Sequence, residues 1–391
     1  MDSKTWIEKN EKYVMNTYGR FDVVLESGKG CIAKDVNGKE YIDVSSGVGV
    51  NALGYCDTDY VEKVVEQLKK LQHTSNYYYN KPSTELAEKL ISLSDMSKVF
   101  FGNSGAEANE CAIKLARKYS FDKYGKGRDE IVSLKNSFHG RTITTLSATG
   151  QDVFHNYFFP FTPNFNYGNP NDIFDMKKVI TENTCGVMVE CIQGEGGVNI
   201  LQKEFLQELE KYCNDKDIVF IIDEVQTGIG RTGTLFAFEQ FGLKPDVVTL
   251  AKGLGGGLPI GVCMCNQKLD KVMGLGVHGS TFGGNPVVCA GALYILEKVA
   301  KKEFLDEVKK KRSYFADKIR EIPGVSSVKN MGLMIGIELE ADNAKEIAKK
   351  CVSNGLFIIT AKNLLRMLPP LIITKDEIDK AVEILKNSIL N

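Results

Sequence analysis

The chain has 391 residues, 43% apolar and 25% charged, enough to bury a large core and to form one large domain plus a smaller one. Its 49 basic and 50 acidic side chains nearly cancel, which argues against nucleic acid or an acidic membrane as partner and for a small substrate. No apolar stretch approaches the length of a membrane span, and the opening Met1-Asp-Ser-Lys-Thr-Trp-Ile lacks the apolar core of a signal peptide, so a cytoplasmic protein is expected.

Residues 1 to 50 carry two β-like runs, Val23-Val-Leu-Glu-Ser and Gly30-Cys-Ile-Ala-Lys-Asp-Val. Asn37-Gly38 then returns the chain into Glu40-Tyr-Ile-Asp-Val, a hairpin signal. Helical spacing follows over 59–72 (Val61, Val64, Val65, Leu68, Leu71) and 83–93 (Leu86, Leu90, Leu93). Between them Tyr77, Tyr78 and Tyr79 suit either a substrate mouth or an interface. From about residue 97, strand, glycine-rich turn and helix alternate, which predicts an α/β domain around a mostly parallel sheet. A helical pattern over about 291–320 leads into the strand-like Met334-Ile-Gly-Ile-Glu-Leu. The ten cysteines include no Cys-x-x-Cys pair and the four histidines no metal-type spacing, so buried thiols in a reducing compartment and no metal are expected.

The loops after the predicted strands carry the chemistry. Val99-Phe-Phe runs into Gly102-Asn-Ser-Gly-Ala-Glu-Ala-Asn-Glu and a helix with Ala108, Ala112, Leu115 and Ala116 on one side. Ser104 and Glu107 have capping-box spacing, while Gly105 and Ala106 leave N–H groups of the helix start free to face an anion. The Walker pattern is absent, which speaks against a nucleoside triphosphate. In Asn136-Ser-Phe-His-Gly-Arg-Thr, Phe138 offers a stacking face, Arg141 a fork for a carboxylate, and His139 reads as a structural hydrogen-bonder. Three further apolar runs lead into Glu190-Cys-Ile-Gln-Gly-Glu195, Asp223-Glu-Val-Gln-Thr-Gly and Lys252-Gly-Leu-Gly-Gly-Gly, at strand ends where ligands of open α/β sheets gather. Taken singly, Lys252 reads as a loop lysine and Asp223 as a turn aspartate. Together with a phosphate-type turn they read as a pyridoxal phosphate site, with Lys252 as the Schiff-base lysine and Asp223 keeping the ring nitrogen protonated.

Asn103-Ser-Gly-Ala-Glu-Ala-Asn, Ser137-Phe-His-Gly-Arg-Thr, Gln193-Gly-Glu-Gly-Gly, Asp223-Glu-Val-Gln-Thr-Gly, Ala251-Lys-Gly and His278-Gly-Ser-Thr-Phe-Gly-Gly-Asn-Pro286 together resemble the class III aminotransferases, from about residue 15 to the C-terminus. The resemblance implies an α/β protein of fold type I, with a mostly parallel seven-stranded central sheet, helices on both faces and a smaller α+β domain. The large domain would cover 50–285, and the small one would combine 1–49 with 286–391. Pyridoxal 5'-phosphate would be held by Lys252 and Asp223, with Ser104, Gly105 and Ala106 at its phosphate. Phe138 would stack on one ring face, with Val225 and Gln226 on the other and Glu224 beside them. Thr281 would reach the phosphate of the neighbouring subunit, making a homodimer with shared sites, and Ser280 would lie beside the substrate. Arg141 would take one substrate carboxylate, and Arg366 a second, paired at rest with Glu195.

Within the class the pattern is most similar to members acting on N-acetylornithine. The implied reaction moves its terminal amino group to 2-oxoglutarate, giving glutamate, as in arginine biosynthesis. The acyl group has no motif of its own, so ornithine, succinylornithine and 4-aminobutyrate stay open as donors. The chain departs from the family pattern at Gly54-Tyr-Cys-Asp-Thr58 and at Cys191, positions that carry no chemistry.

Overall fold

Seven short runs rich in apolar and β-branched residues pair into the central sheet of this computed structural model, which describes residues 2–391. In chain order they are β1 (Lys98–Gly102), β2 (Glu130–Leu134), β3 (Phe165–Gly168), β4 (Thr184–Val189), β5 (Val219–Asp223), β6 (Val247–Leu250) and β7 (Gly261–Cys265). The sheet order is β1-β7-β6-β5-β4-β2-β3. Neighbours from β3 through to β6 pair in parallel, and β7 alone runs against them, antiparallel to both β6 and β1. Every residue of β4, β5, β6 and β7 is buried, as expected of strands covered on both faces, and this is why their sequences read as unbroken apolar runs.

The helix Gly105–Tyr124 shows how sequence sets one of these covers. Its N-cap Ser104 accepts a hydrogen bond from the Glu107 amide (3.2 Å), and Gly125 at φ 80° ends it. Ala108, Ala112 and Ala116 on its buried side let it lie close against the sheet. Register then places the chemistry. Asp223 is the last residue of β5, opposite Thr249 of β6, and Lys252 follows two residues after β6 ends, so both charges reach the same carboxyl edge.

Two four-stranded sheets flank this layer. One joins Leu25–Lys29, Ile32–Asp35 and Glu40–Asp43 to Leu356–Phe357, so residues from both ends of the chain share it. The expected hairpin is present: Gly38 turns at φ 86°, and Asp35 Oδ1 accepts from the amides of Asn37 and Lys39. The other, wholly antiparallel, contains Val325–Met331, Met334–Leu339, Leu364–Met367 and Ile359–Ala361. The pattern over 291–320 forms two helices, Pro286–Val299 and Lys302–Arg320. The first starts earlier than its spacing indicates because Asn285 caps it, accepting from the amides of Val287 and Val288, with Pro286 at the first turn. Nine of the ten cysteines are buried free thiols, and Cys56 is exposed. Among the described residues, no helix is long and apolar enough to cross a membrane.

Candidate active site

A cavity of about 450 Å³ opens at the carboxyl edge of the sheet and gathers groups from all five loops singled out above. A larger hollow, about 700 Å³, lies along residues 6–25 of the N-terminal segment and contains none of them.

At one end the cavity meets the start of the helix Gly105–Tyr124, where Ser104, Gly105 and Ala106 line it. The first amides of a helix have no intrahelical acceptor, so they are free to hold an anion. A Cβ on Gly105 would stand 2.7 Å from Val225 Cγ1, so a glycine is needed for this turn to approach the loop after β5.

Asp223 is buried, 4% exposed, and its carboxylate is held from several sides. Oδ2 accepts from Asn109 Nδ2 at 2.7 Å and lies 2.8 Å from His139 Nδ1, while Oδ1 accepts from the Val225 amide at 2.9 Å. Three partners leave about one lone pair for a donor inside the cavity. Asn109 is itself fixed: Thr249 Oγ1 donates to its Oδ1, and its Nδ2 also donates to the His139 carbonyl. Among the described residues, His139 Nε2 is buried without a hydrogen-bond partner.

Lys252 sits at φ 43°, a left-handed conformation that a non-glycine residue adopts at a cost, directly after a strand whose every residue is buried. Burial holds its ammonium below the usual lysine range. Glu195, Asp223 and Glu190 oppose that shift, and the Arg366 charge adds to it. Glu190 is pushed up to about 7, chiefly by burial, although it accepts from the amides of Phe138 and Gly194.

Arg366 lies on Leu364–Met367, a strand with every residue buried, and its Nη1 stands 2.7 Å from Glu195 Oε1. That ion pair holds the Glu195 carboxyl below its usual range against the opposing effect of burial. Phe138 is half-buried and meets Phe154 edge-on at 6.0 Å. The Arg141 guanidinium rests 3.9 Å from the Phe154 ring centre and makes no ion pair among the described residues.

Other residues fall elsewhere. Glu224 is turned away from the cavity, accepting from Thr227 Oγ1 and the Phe238 amide, because successive residues of an extended segment point to opposite sides. Ser280 accepts from Asn103 Nδ2, and Thr281 is exposed; neither lines the cavity of its own chain. Tyr77, Tyr78 and Tyr79 are exposed and also outside it. Asn109 and Phe154 were missed in the sequence, although an asparagine on the alanine side of a helix was a legible signal.

The family model for aminotransferase class III matches residues 13–389. The chain is a class III aminotransferase. It is 50% identical over 375 residues to an acetylornithine aminotransferase of Haemophilus ducreyi, covering 95% of each chain. Among solved structures, the ornithine aminotransferase from Toxoplasma gondii matches with a TM-score of 0.95 at 30% identity, over 100% of this chain and 95% of that one. The N-acetylornithine aminotransferase from Stenotrophomonas maltophilia matches with a TM-score of 0.84 at 35% identity, over 98% of both.

Class III aminotransferases use pyridoxal 5'-phosphate, and this aminotransferase has a donor set that fits it: a desolvated lysine, a braced carboxylate with a lone pair to spare, and an open helix start. The departures from the family pattern are absorbed locally. Tyr55 Oη donates to Asp43 Oδ2 at 2.7 Å, outside the cavity, and Cys191 is buried in the core.

Proposed function

We propose that this aminotransferase moves the terminal amino group of N-acetylornithine to 2-oxoglutarate, giving N-acetylglutamate 5-semialdehyde and glutamate. The observation that carries the reading is a buried Arg366 neutralised by Glu195 beside Lys252, with Arg141 making no ion pair among the described residues. The 50% identity to the Haemophilus ducreyi protein supports the choice of donor.

Pyridoxal phosphate, when bound, supplies an electron sink for the pair left behind as a proton departs the amine-bearing carbon. The chain's residues do the rest. Lys252 Nζ, whose ammonium burial holds below the usual lysine range, would form the covalent link and afterwards carry the proton. Asp223 would keep a proton on the ring nitrogen, Gly105 and Ala106 would hold the phosphate, and Phe138, Val225 and Gln226, which line the same cavity, would fix the ring.

Two unlike donors must use one cavity. N-acetylornithine reacts at its terminal amine and carries its carboxylate at the far end, for Arg141. Glutamate has a carboxylate next to the reacting carbon and needs a cation there, for which Arg366 serves. A bare Arg366 would repel the protonated terminal amine, so Glu195 neutralises it in one half-reaction and swings away in the other.

The active unit is a homodimer in the cytoplasm, with a large domain of residues 50–285 and a small one built from 1–49 and 286–391. Asn76 Nδ2 donates to the carbonyls of Ser280 and Gly283, joining two loops that expose Tyr77, Tyr78, Tyr79 and Phe282 in one apolar patch. Covered by a second copy, that patch would bring Thr281 to the partner's phosphate. Purified holoenzyme mixed in turn with N-acetylornithine, ornithine, succinylornithine and 4-aminobutyrate tests the donor, by loss of the cofactor's absorbance band. N-acetylornithine should react fastest; a clear preference for another amine would overturn the assignment.

A further inference from the structure

Gln226 lines the cavity and is 9% exposed. Its amide bridges the two charges that the proposed function sets in opposition. Nε2 donates to Glu195 Oε1 at 3.3 Å, and Oε1 accepts from Arg366 Nη1 at 3.3 Å. The neighbours fix which way the amide faces: a guanidinium can only donate and a carboxylate can only accept, so a flipped amide would lose both bonds. Glu195 Oε1 therefore takes two donors in the closed state, Arg366 Nη1 at 2.7 Å and Gln226 Nε2.

The seat of this amide is built. A Cβ on Gly194 would stand 2.1 Å from Gln226 Oε1 and 2.6 Å from its Cδ, and would also meet buried Met334 Cε at 2.9 Å. Gly194 is outside the left-handed region, so its backbone would accept alanine, and what excludes a side chain is chiefly the amide, with the Met334 methyl beside it.

We infer that Gln226, seated by Gly194, is a positioning residue of the Arg366–Glu195 gate that sets how readily Glu195 leaves, and with it the preference between the two donors. The inference rests on the gate described under the proposed function. Opening removes a hydrogen bond from Gln226 to a carboxylate as well as the ion pair. Displacing the amide weakens the closed state, and replacing it with a carboxylate occupies Arg366 whichever way Glu195 turns.

The test measures single-turnover rates of the holoenzyme with glutamate and with N-acetylornithine and takes their ratio. Gly194→Ala should raise the glutamate to N-acetylornithine ratio by about three- to tenfold, the loss of one long bond to a charged acceptor. Gln226→Glu should lower it by about tenfold or more. A purely structural role would slow both reactions together. Glutarate affinity, by titration calorimetry, should follow the same order, tighter for Gly194→Ala and weaker for Gln226→Glu. With Glu195→Ala already present, Gly194→Ala should move the ratio no further. Glu195→Ala itself separates the two levels. If it leaves the ratio unchanged, the gate is absent. If it raises the ratio while Gly194→Ala and Gln226→Glu do not shift it in opposite directions, the gate stands and the role of Gln226 is overturned.

Discussion

Replacing Arg366 by alanine removes a guanidinium that is 2% exposed and whose Nη1 stands 2.7 Å from Glu195 Oε1. In the glutamate half-reaction the carboxylate beside the reacting carbon then enters a buried site without its cation. Leaving such a charge unpaired costs about 2 to 5 kcal/mol, which at 1.36 kcal/mol per tenfold is a slowing of about thirty- to five-thousandfold. N-acetylornithine presents its carboxylate to Arg141 instead, so its half-reaction should change by less than about tenfold. The substitution also removes a cation that helps hold the Lys252 ammonium below the usual lysine range and leaves Glu195 opposing that shift. Capture of pyridoxal phosphate by the apo-protein should therefore move to higher pH. Stopped-flow absorbance under single-turnover conditions gives each rate separately. Equal slowing with both donors would show that Arg366 is structural and refute the two-donor argument.

Three other perturbations test separate parts of the site. Asn109→Ala removes a 2.7 Å donor to the Asp223 carboxylate, a loss of about 1.5 to 3 kcal/mol, and should weaken cofactor affinity about ten- to hundredfold; unchanged affinity in an absorbance titration would count against the bracing of Asp223. Lys252→Ala and Thr281→Ala chains should each be impaired alone and recover activity when mixed and refolded together, because a hybrid dimer contains one intact shared site; no recovery would refute the shared site. Glu224 is raised by burial to about 7, so folding favours its protonated form, and the stability this gives is present below about 4.5 and lost as pH rises through about 7. Glu224→Gln should accordingly lose less stability than the parent in denaturant unfolding between pH 5 and pH 8, and parallel losses would contradict the assignment.

The sheet and its edge were legible because they depend on local signals. β4, β5 and β6 are buried along their whole length, which leaves an apolar run ending abruptly in a polar loop, and Asp223 and Lys252 stand at two such endings. The hairpin at Gly38 and the helix start at Ser104 follow from turn and cap chemistry within a few residues. What joins distant segments was not legible from the residues alone. Asn109 and His139 reach Asp223 across 114 and 84 positions of chain, and Glu195 meets Arg366 across 171, a pairing that only the family resemblance implied. The break between Val299 and Lys302 was missed because Ala300 and Lys301 are not helix breakers, and the next helix starts after an extended Lys301 with no side-chain cap. Glu224 was placed at the cofactor by its neighbours in sequence, yet alternation along an extended segment turns it toward Thr227 and Phe238.

If the cavity at the carboxyl edge is the catalytic centre, Lys252 is its reactive amine. Reducing the holoenzyme with borohydride and mapping its peptides by mass spectrometry tests this directly, because reduction makes the link between cofactor and lysine permanent. One pyridoxyl-modified peptide is expected, carrying its label on Lys252. A label on any other lysine, or a cofactor-saturated protein with none, would contradict it.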